Sequence, residues 1–148
     1  LDTINEPVTL AYMCKLNEYI ARNEALSWGT LRTGSVGISG TAYEPPIPTH
    51  EGAERELNEI MNQDTSATEK ALNAFLWGAR GQLFWDGNKR TAMTLANKIL
   101  IAAGAGMLTI TDNHMERFNT LLIQYYNTAE GESLKRFMYD DAIRGISL

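Results

Sequence analysis

Histidine, cysteine and proline are scarce in this chain, at two, one and four residues out of 148. Cys14 stands alone, so no internal disulfide can form, and with only His50 and His114 beside it there is no zinc-ligand spacing. A reduced, cytoplasmic setting fits that usage. Long apolar runs are missing too. No stretch approaches the length needed to span a bilayer, and the N-terminal residues show no basic segment followed by an apolar one. The expectation is a soluble, unexported protein with no membrane partner. Positive charge is in deficit, with 13 Lys and Arg against 18 Asp and Glu for a formal charge of -5. That argues against a surface built as a whole to grip nucleic acid, which depends on neutralising phosphates with cations. It leaves room for a local basic site.

What is present describes an ordinary folded domain: 44% hydrophobic and 21% charged residues. A chain of this length buries roughly two-thirds of the surface its unfolded form exposes, so neither metal nor disulfide is needed to hold a core. One domain over residues 1–148 is expected, all-α, with about six helices and one small hairpin. From about Pro7 to Ala21, Leu10, Met13, Leu16, Tyr19 and Ile20 recur at three- and four-residue spacing and predict a first amphipathic helix. Trp28 to Pro48 holds four glycines and three prolines with Thr33, Val36, Ile38 and Thr41 between them, which reads as an irregular loop with a short hairpin at about 33–46.

A second helix is expected around Glu51 to Met61 with Thr49 as its cap. Ser66 and Glu69 are spaced as a capping box before Ala71 to Ala79, a run apolar on nearly all sides that marks the third helix as the buried one. Thr91, Ala92, Leu95, Ala96, Ile99, Leu100 and Ala103 resume helical spacing and stop at Gly104, suited to a left-handed cap. Met107 to Ile110 reads as a short extended stretch. Two further helices are expected around Phe118 to Tyr126 and Leu134 to Ile143.

The segment with chemical character is Gln82-Leu83-Phe84-Trp85-Asp86-Gly87-Asn88-Lys89-Arg90-Thr91-Ala92, between the third and fourth helices. A glycine and an asparagine entering a helix let several backbone N–H groups face one spot, where the helix dipole favours an anion. Lys89 and Arg90 add cationic side chains. Asp86, just before the turn, is placed to bind a hard cation such as magnesium. On spacing alone, a metal–nucleotide site and an ordinary capped turn followed by solvated charges are equally good readings.

The segment resembles the signature of the Fic family, His-Pro-Phe-x-(Asp/Glu)-Gly-Asn-Gly-Arg-x-x-Arg, and Asn88-Lys89-Arg90-Thr91-Ala92 is similar to its death-on-curing (Doc) branch. Trp28-Gly29-Thr30-Leu31-Arg32-Thr33 is similar to the family's approach to its flap, and Tyr43-Glu44-Pro45-Pro46 to the flap's close. Asn97 and Gly104 also match, so the resemblance covers roughly Val8 to Ile110. It implies a Fic fold and transfer of AMP, or in the Doc branch of the terminal phosphate, from magnesium-bound ATP to a protein hydroxyl. By that resemblance Asp86 holds magnesium, Gly87, Asn88 and Lys89 form the anion nest, Arg90 contacts a phosphate and Phe84 anchors the loop. Val36, Gly37, Ile38 and Ser39 lie in the flap that receives the target protein by strand pairing.

Two departures stand in the loop at 82–93. Gln82 occupies the place of the family's basic histidine, and Met93 that of its second arginine. General-base help is typically worth about a hundredfold to ten-thousandfold, so weak or absent AMP transfer with retained nucleotide binding is expected. Phosphoryl transfer depends more on positioning and charge, and Lys89 makes a kinase-like outcome the alternative enzymatic reading. A nucleotide-binding or protein-interaction module without turnover is the non-enzymatic one. The resemblance also brings toxin–antitoxin systems into view, with an antitoxin as a partner. The family's inhibitory glutamate element has no counterpart, since Glu51-Gly52 and Glu130-Gly131 lack the Ser or Thr four residues earlier. As a substitute base His50 is disfavoured, because it stands outside the motif at the expected start of the second helix, and His114, in a helix-start loop, reads as a surface residue.

Overall fold

The computed structural model of the protein describes residues 3–24 and 27–145. Its elements in order are α1 (Leu10–Ala21), α2 (His50–Met61), α3 (Ala67–Gly81), α4 (Asn88–Ala102), β1 (Met107–Leu108), α5 (Asp112–Thr128), α6 (Glu132–Phe137), a π-helical turn at Met138–Ala142, and β2 (Ile143–Arg144). The architecture is mostly helical, six helices with a two-stranded antiparallel sheet in which Met107 faces Arg144 and Leu108 faces Ile143. No helix of the described residues is long and apolar enough to cross a membrane.

Helix starts follow their local chemistry. The hydroxyls of Thr9, Thr49 and Ser66 accept from the backbone N–H of Tyr12, Gly52 and Glu69, each satisfying a donor the helix itself cannot. The capping box at Ser66 is half realised. The Glu69 carboxylate does not return to the cap; it accepts from Lys135 Nζ of α6 at 2.6 Å and from Asn73. α4 ends as its sequence predicts, with Gly104 in the left-handed region at φ +67°.

Helices α3 and α4 form the centre. Ala71, Leu72, Ala74, Phe75 and Ala79 of α3 and Ala92, Leu95, Ala96 and Leu100 of α4 are buried, and the small residues let the two backbones approach. A Cβ on Gly78 would sit 3.1 Å from that of Ala92. Phe118, Leu121, Leu122, Tyr125 and Tyr126 of α5 close one side, and Leu10, Tyr12 and Met13 of α1 the other. This pairing fixes the connection between α3 and α4, residues 82–87, at one end of the core.

The segment expected as a hairpin, 33–46, contains no strand, and the sheet of the molecule lies elsewhere. It makes one turn, in which Thr41 donates through both its N–H and its hydroxyl to the Ile38 carbonyl. Side chains from outside then hold it: Asn127 Oδ1 accepts from Ala42 N–H, and the Arg80 guanidinium stacks 3.8 Å above the Tyr43 ring. The carbonyls of Gly34, Pro45 and Pro46 accept from one arginine rather than from an opposing strand. The β-branched residues that suggested strands are spaced by glycines, and among the described residues no neighbouring backbone completes a ladder with them.

Candidate functional site

The turn between α3 and α4 is built on two carboxamides. Gln82 closes α3 in the left-handed region, φ 48° and ψ 55°. Its Nε2 donates to the Ala79 carbonyl at 2.7 Å, and its Oε1 accepts from Asn88 Nδ2 at 3.2 Å, so both ends of the amide are engaged. Asn88 turns its side chain inward, where Oδ1 accepts from Phe84 N–H and Nδ2 donates to the Phe84 carbonyl, each at 2.8 Å. The Phe84 ring is 1% exposed and anchors the loop in the core.

Gly87 takes φ +73°, and a Cβ there would meet Ala21 Cβ at 3.2 Å and Ile20 Cγ2 at 3.3 Å. A side chain at that position is opposed both by its own backbone and by α1. The N–H of Gly87 donates to Asp86 Oδ1 at 2.8 Å, which leaves Oδ2 of an exposed carboxylate at the mouth of the turn. Among the described residues, nothing accepts from the backbone N–H groups of Asn88, Lys89 and Arg90, the free donors of the first turn of α4. Asn88 offers an anion its backbone, not its amide.

Lys89 and Arg90 are exposed on that first turn. No described residue pairs with Lys89. Arg90 Nη2 lies 2.5 Å from Glu24 Oε2, just beyond α1. The contact holds the Glu24 carboxyl below the usual range and raises the Arg90 guanidinium, in each case chiefly through the side-chain hydrogen bond.

The flap residues Val36, Gly37, Ile38 and Ser39 face this turn across a cavity of about 610 Å³. Gln82 and Asp86 through Arg90 form its floor, and Asn119, Leu122, Ile123 and Tyr126 of α5 its far wall. Residues named from the sequence as catalytic, metal-binding, nucleotide-binding and target-binding thus line a single space. Met93, one turn beyond Arg90, lines a separate groove. His50 begins α2 with its side chain 72% exposed beside Glu54 and lines neither space. His114 stands in the first turn of α5 with its ring edge toward Phe137 and lines neither as well.

A model of the Fic/DOC family matches residues 7–100. The chain belongs to the Fic/DOC family. Among solved structures this Fic/DOC chain is similar to the BepC protein, a VirB-translocated Bartonella effector protein from Bartonella tribocorum, whose crystal structure carries bound AMPPNP. The two are 19% identical with a TM-score of 0.64, over 99% of this chain and 81% of that one. At that identity the likeness speaks for the fold. No curated protein matches the sequence.

Three residues of the Fic/DOC chain that brace the site went unremarked for any role in the sequence. Asn17 of α1 is fully buried; its Nδ2 donates to the Asp86 carbonyl at 2.9 Å and to Thr91 Oγ1, while Oδ1 accepts from Gly29 N–H. It joins α1, the entry to the flap and the glycine turn. Arg32 is 1% exposed and donates to the carbonyls of Gly34, Pro45, Pro46, Gly81 and Gln82, holding both ends of the flap against the C-terminus of α3. Glu24 is the third, through Arg90. The signal for Asn17 was available in principle, as a polar residue on the buried face of an amphipathic helix, Leu10, Met13, Asn17.

Proposed function

We propose that this protein is a single Fic-like domain that binds a magnesium–nucleotide complex, ATP by family, at the turn 82–93, with hydroxyl-directed AMP transfer impaired. One observation carries the reading: the glycine turn, two cations and the flap converge on one cavity of about 610 Å³. The free N–H groups of Asn88, Lys89 and Arg90, with the Lys89 and Arg90 side chains, would hold the phosphates. An exposed carboxylate with one free oxygen fits magnesium, which takes few protein ligands and completes its shell with water and phosphate. Asp86 would hold the ion, whose charge would offset that of the phosphates. α5 supplies a wall of the same cavity, which supports extending the domain beyond the matched residues 7–100.

Val36 to Ser39 would receive the target protein. Among the described residues their backbone N–H groups are unengaged, as strand pairing with an incoming segment requires. No group in the cavity titrates near neutrality at the position of the family's base, because Gln82 is an amide with both ends held by Ala79 and Asn88. That favours, as a second reading, a nucleotide-binding or interaction module without turnover. Positioning and charge remain, so transfer of the terminal phosphate is the enzymatic outcome least affected.

Incubation with cell extract and ATP labelled at the α or the γ phosphate separates these readings. Label from α on a protein band marks AMP transfer, label from γ alone marks a kinase, and ATP binding without label marks the module. No ATP binding refutes the proposal. Gln82→His should raise α labelling if the missing base is the only defect, at the cost of the two amide hydrogen bonds that hold the turn.

A further inference from the structure

Where the flap runs on into α2, a groove of about 420 Å³ opens against α3, and it shares no lining residue with the flap cavity. Tyr43, Pro46, Ile47 and Pro48 of the chain leaving the flap line it together with Trp77 of α3 and Glu56 of α2. Ile47, set between two prolines, is 50% exposed. Pro45, Pro46 and Pro48 offer no N–H, so this wall is unsuited to pairing with an incoming strand. What suits rings and prolines is a chain that makes no such demand, the extended left-handed form of proline-rich segments, which docks in aromatic-lined grooves.

The charges around the groove narrow its occupant further. Two arginines line it, and neither makes it cationic. The Arg80 guanidinium is engaged, stacked 3.8 Å above the Tyr43 ring with Nε donating to the Tyr126 carbonyl. Arg55 lies among Glu51, Glu54 and Glu59 of its own helix. With Glu56, α2 sets four glutamates against that one arginine, and Glu44 is exposed just before the prolines. Glu56 Oε2 accepts from Trp77 Nε1 at 2.8 Å, which leaves Oε1 for a second donor. Among the described residues no cation pairs with Glu56.

We propose that this groove docks an extended, proline-rich segment of a partner protein that carries an arginine, with the prolines against Ile47 and Trp77 and the guanidinium at the free oxygen of Glu56. Arginine fits better than lysine, because its planar fork can lie along an indole face while donating to the carboxylate beside it. A proline-rich segment is extended before it binds, so little ordering opposes docking. The inference does not rest on the nucleotide reading. Because Tyr43 and Pro46 belong to the close of the flap, a partner held here stands beside the flap cavity without entering it.

Fluorescence anisotropy of a fluorescein-labelled peptide, Gly-Arg-Pro-Leu-Pro-Pro-Leu-Pro-Gly, titrated with the whole chain tests this. The expected Kd is about 100 μM at low salt, weakening about threefold at about 0.5 M salt. Aspartate in place of the peptide's arginine should weaken binding at least about tenfold, and glycine in place of its prolines about as much. Glu56→Gln keeps an oxygen for the Trp77 N–H and removes the charge; it should weaken the arginine peptide about fivefold and flatten the salt dependence. Ile47→Ser should weaken it about threefold without changing the salt dependence. Both positions are exposed, so both variants should melt with the wild type. An aspartate peptide bound as tightly as the arginine one overturns the proposal, as does wild-type affinity in both variants. So does the absence of any anisotropy change up to about 1 mM chain.

Discussion

Replacing Arg32 by methionine keeps an unbranched stem and removes a guanidinium that no carboxylate balances among the described residues. Its counterweight is a set of carbonyl dipoles from Gly34, Pro45, Pro46, Gly81 and Gln82, the last two at the C-terminus of α3 where partial negative charge collects. Burial pulls the guanidinium below its ordinary pKa, a sign that desolvation works against the charge. The variant recovers that desolvation but leaves carbonyls without donors. The bonds to Gly34, at 2.8 Å, and Pro46, at 2.6 Å, hold the flap, and the one to Gln82 holds the turn. At about 1–3 kcal/mol per buried group left unpaired, less the recovered desolvation, the net loss is about 3 kcal/mol. For a chain of this length that lowers Tm by roughly 6–12 °C, measurable by circular dichroism with urea unfolding as a check. Arg32→Lys should rescue little, because one ammonium cannot span carbonyls on both ends of the flap. Trp85 fluorescence should change as well, since Trp85 packs against Gly34. A loss under about 1 kcal/mol, or a lysine variant equal to wild type, would refute the reasoning.

Glu24→Gln should raise affinity for tripolyphosphate a few-fold at low salt by releasing Arg90, and the gain should fade at high ionic strength, as for an exposed pair. Because the Glu24 carboxyl is held low, its pairing is present above the ordinary carboxylate range and lost as pH falls through the lowered value, so the difference between variant and wild type should vanish in acid. Gly87→Ala should cost about 1–2 kcal/mol from its left-handed backbone, with more from contact with Ile20 and Ala21, read by urea unfolding. Burial pushes Tyr125 and Tyr126 from 10.0 up to about 12, with Tyr125 also donating to the Leu76 carbonyl. Their raised values stabilise the fold fully below pH 10 and lose that contribution as pH rises toward 12; unfolding and tyrosinate absorbance should therefore rise together in that window.

Helices were legible wherever apolar spacing and a cap agreed. Thr49, Ser66 and Gly104 each mark a helix end through chemistry confined to a few neighbouring residues. The glycine turn was legible for the same reason, and its inward asparagine was not, because spacing does not say whether Asn88 caps outward or clips Phe84. The flap misled, since β-branched residues set between glycines state a preference that only a partner strand can fulfil. The partners of Arg32, Asn17 and Glu24 were beyond reach for a different cause: in the turn they lie 50, 69 and 66 residues away, and although the place of Asn17 on a buried helix face hints at a partner, no local pattern says which.

Those separations have a consequence during synthesis. The two groups to which the Asn17 amide donates leave the ribosome 69 and 74 residues after it. Until Asp86 emerges, the Asn17 amide nitrogen has neither of its acceptors, although its oxygen can already meet the Gly29 N–H. At roughly 5–20 residues per second this interval lasts several seconds. A nascent chain can therefore hold α1, α2 and α3 while the turn that joins α3 to α4 is still unbraced, and that brace arrives only with the first turns of α4.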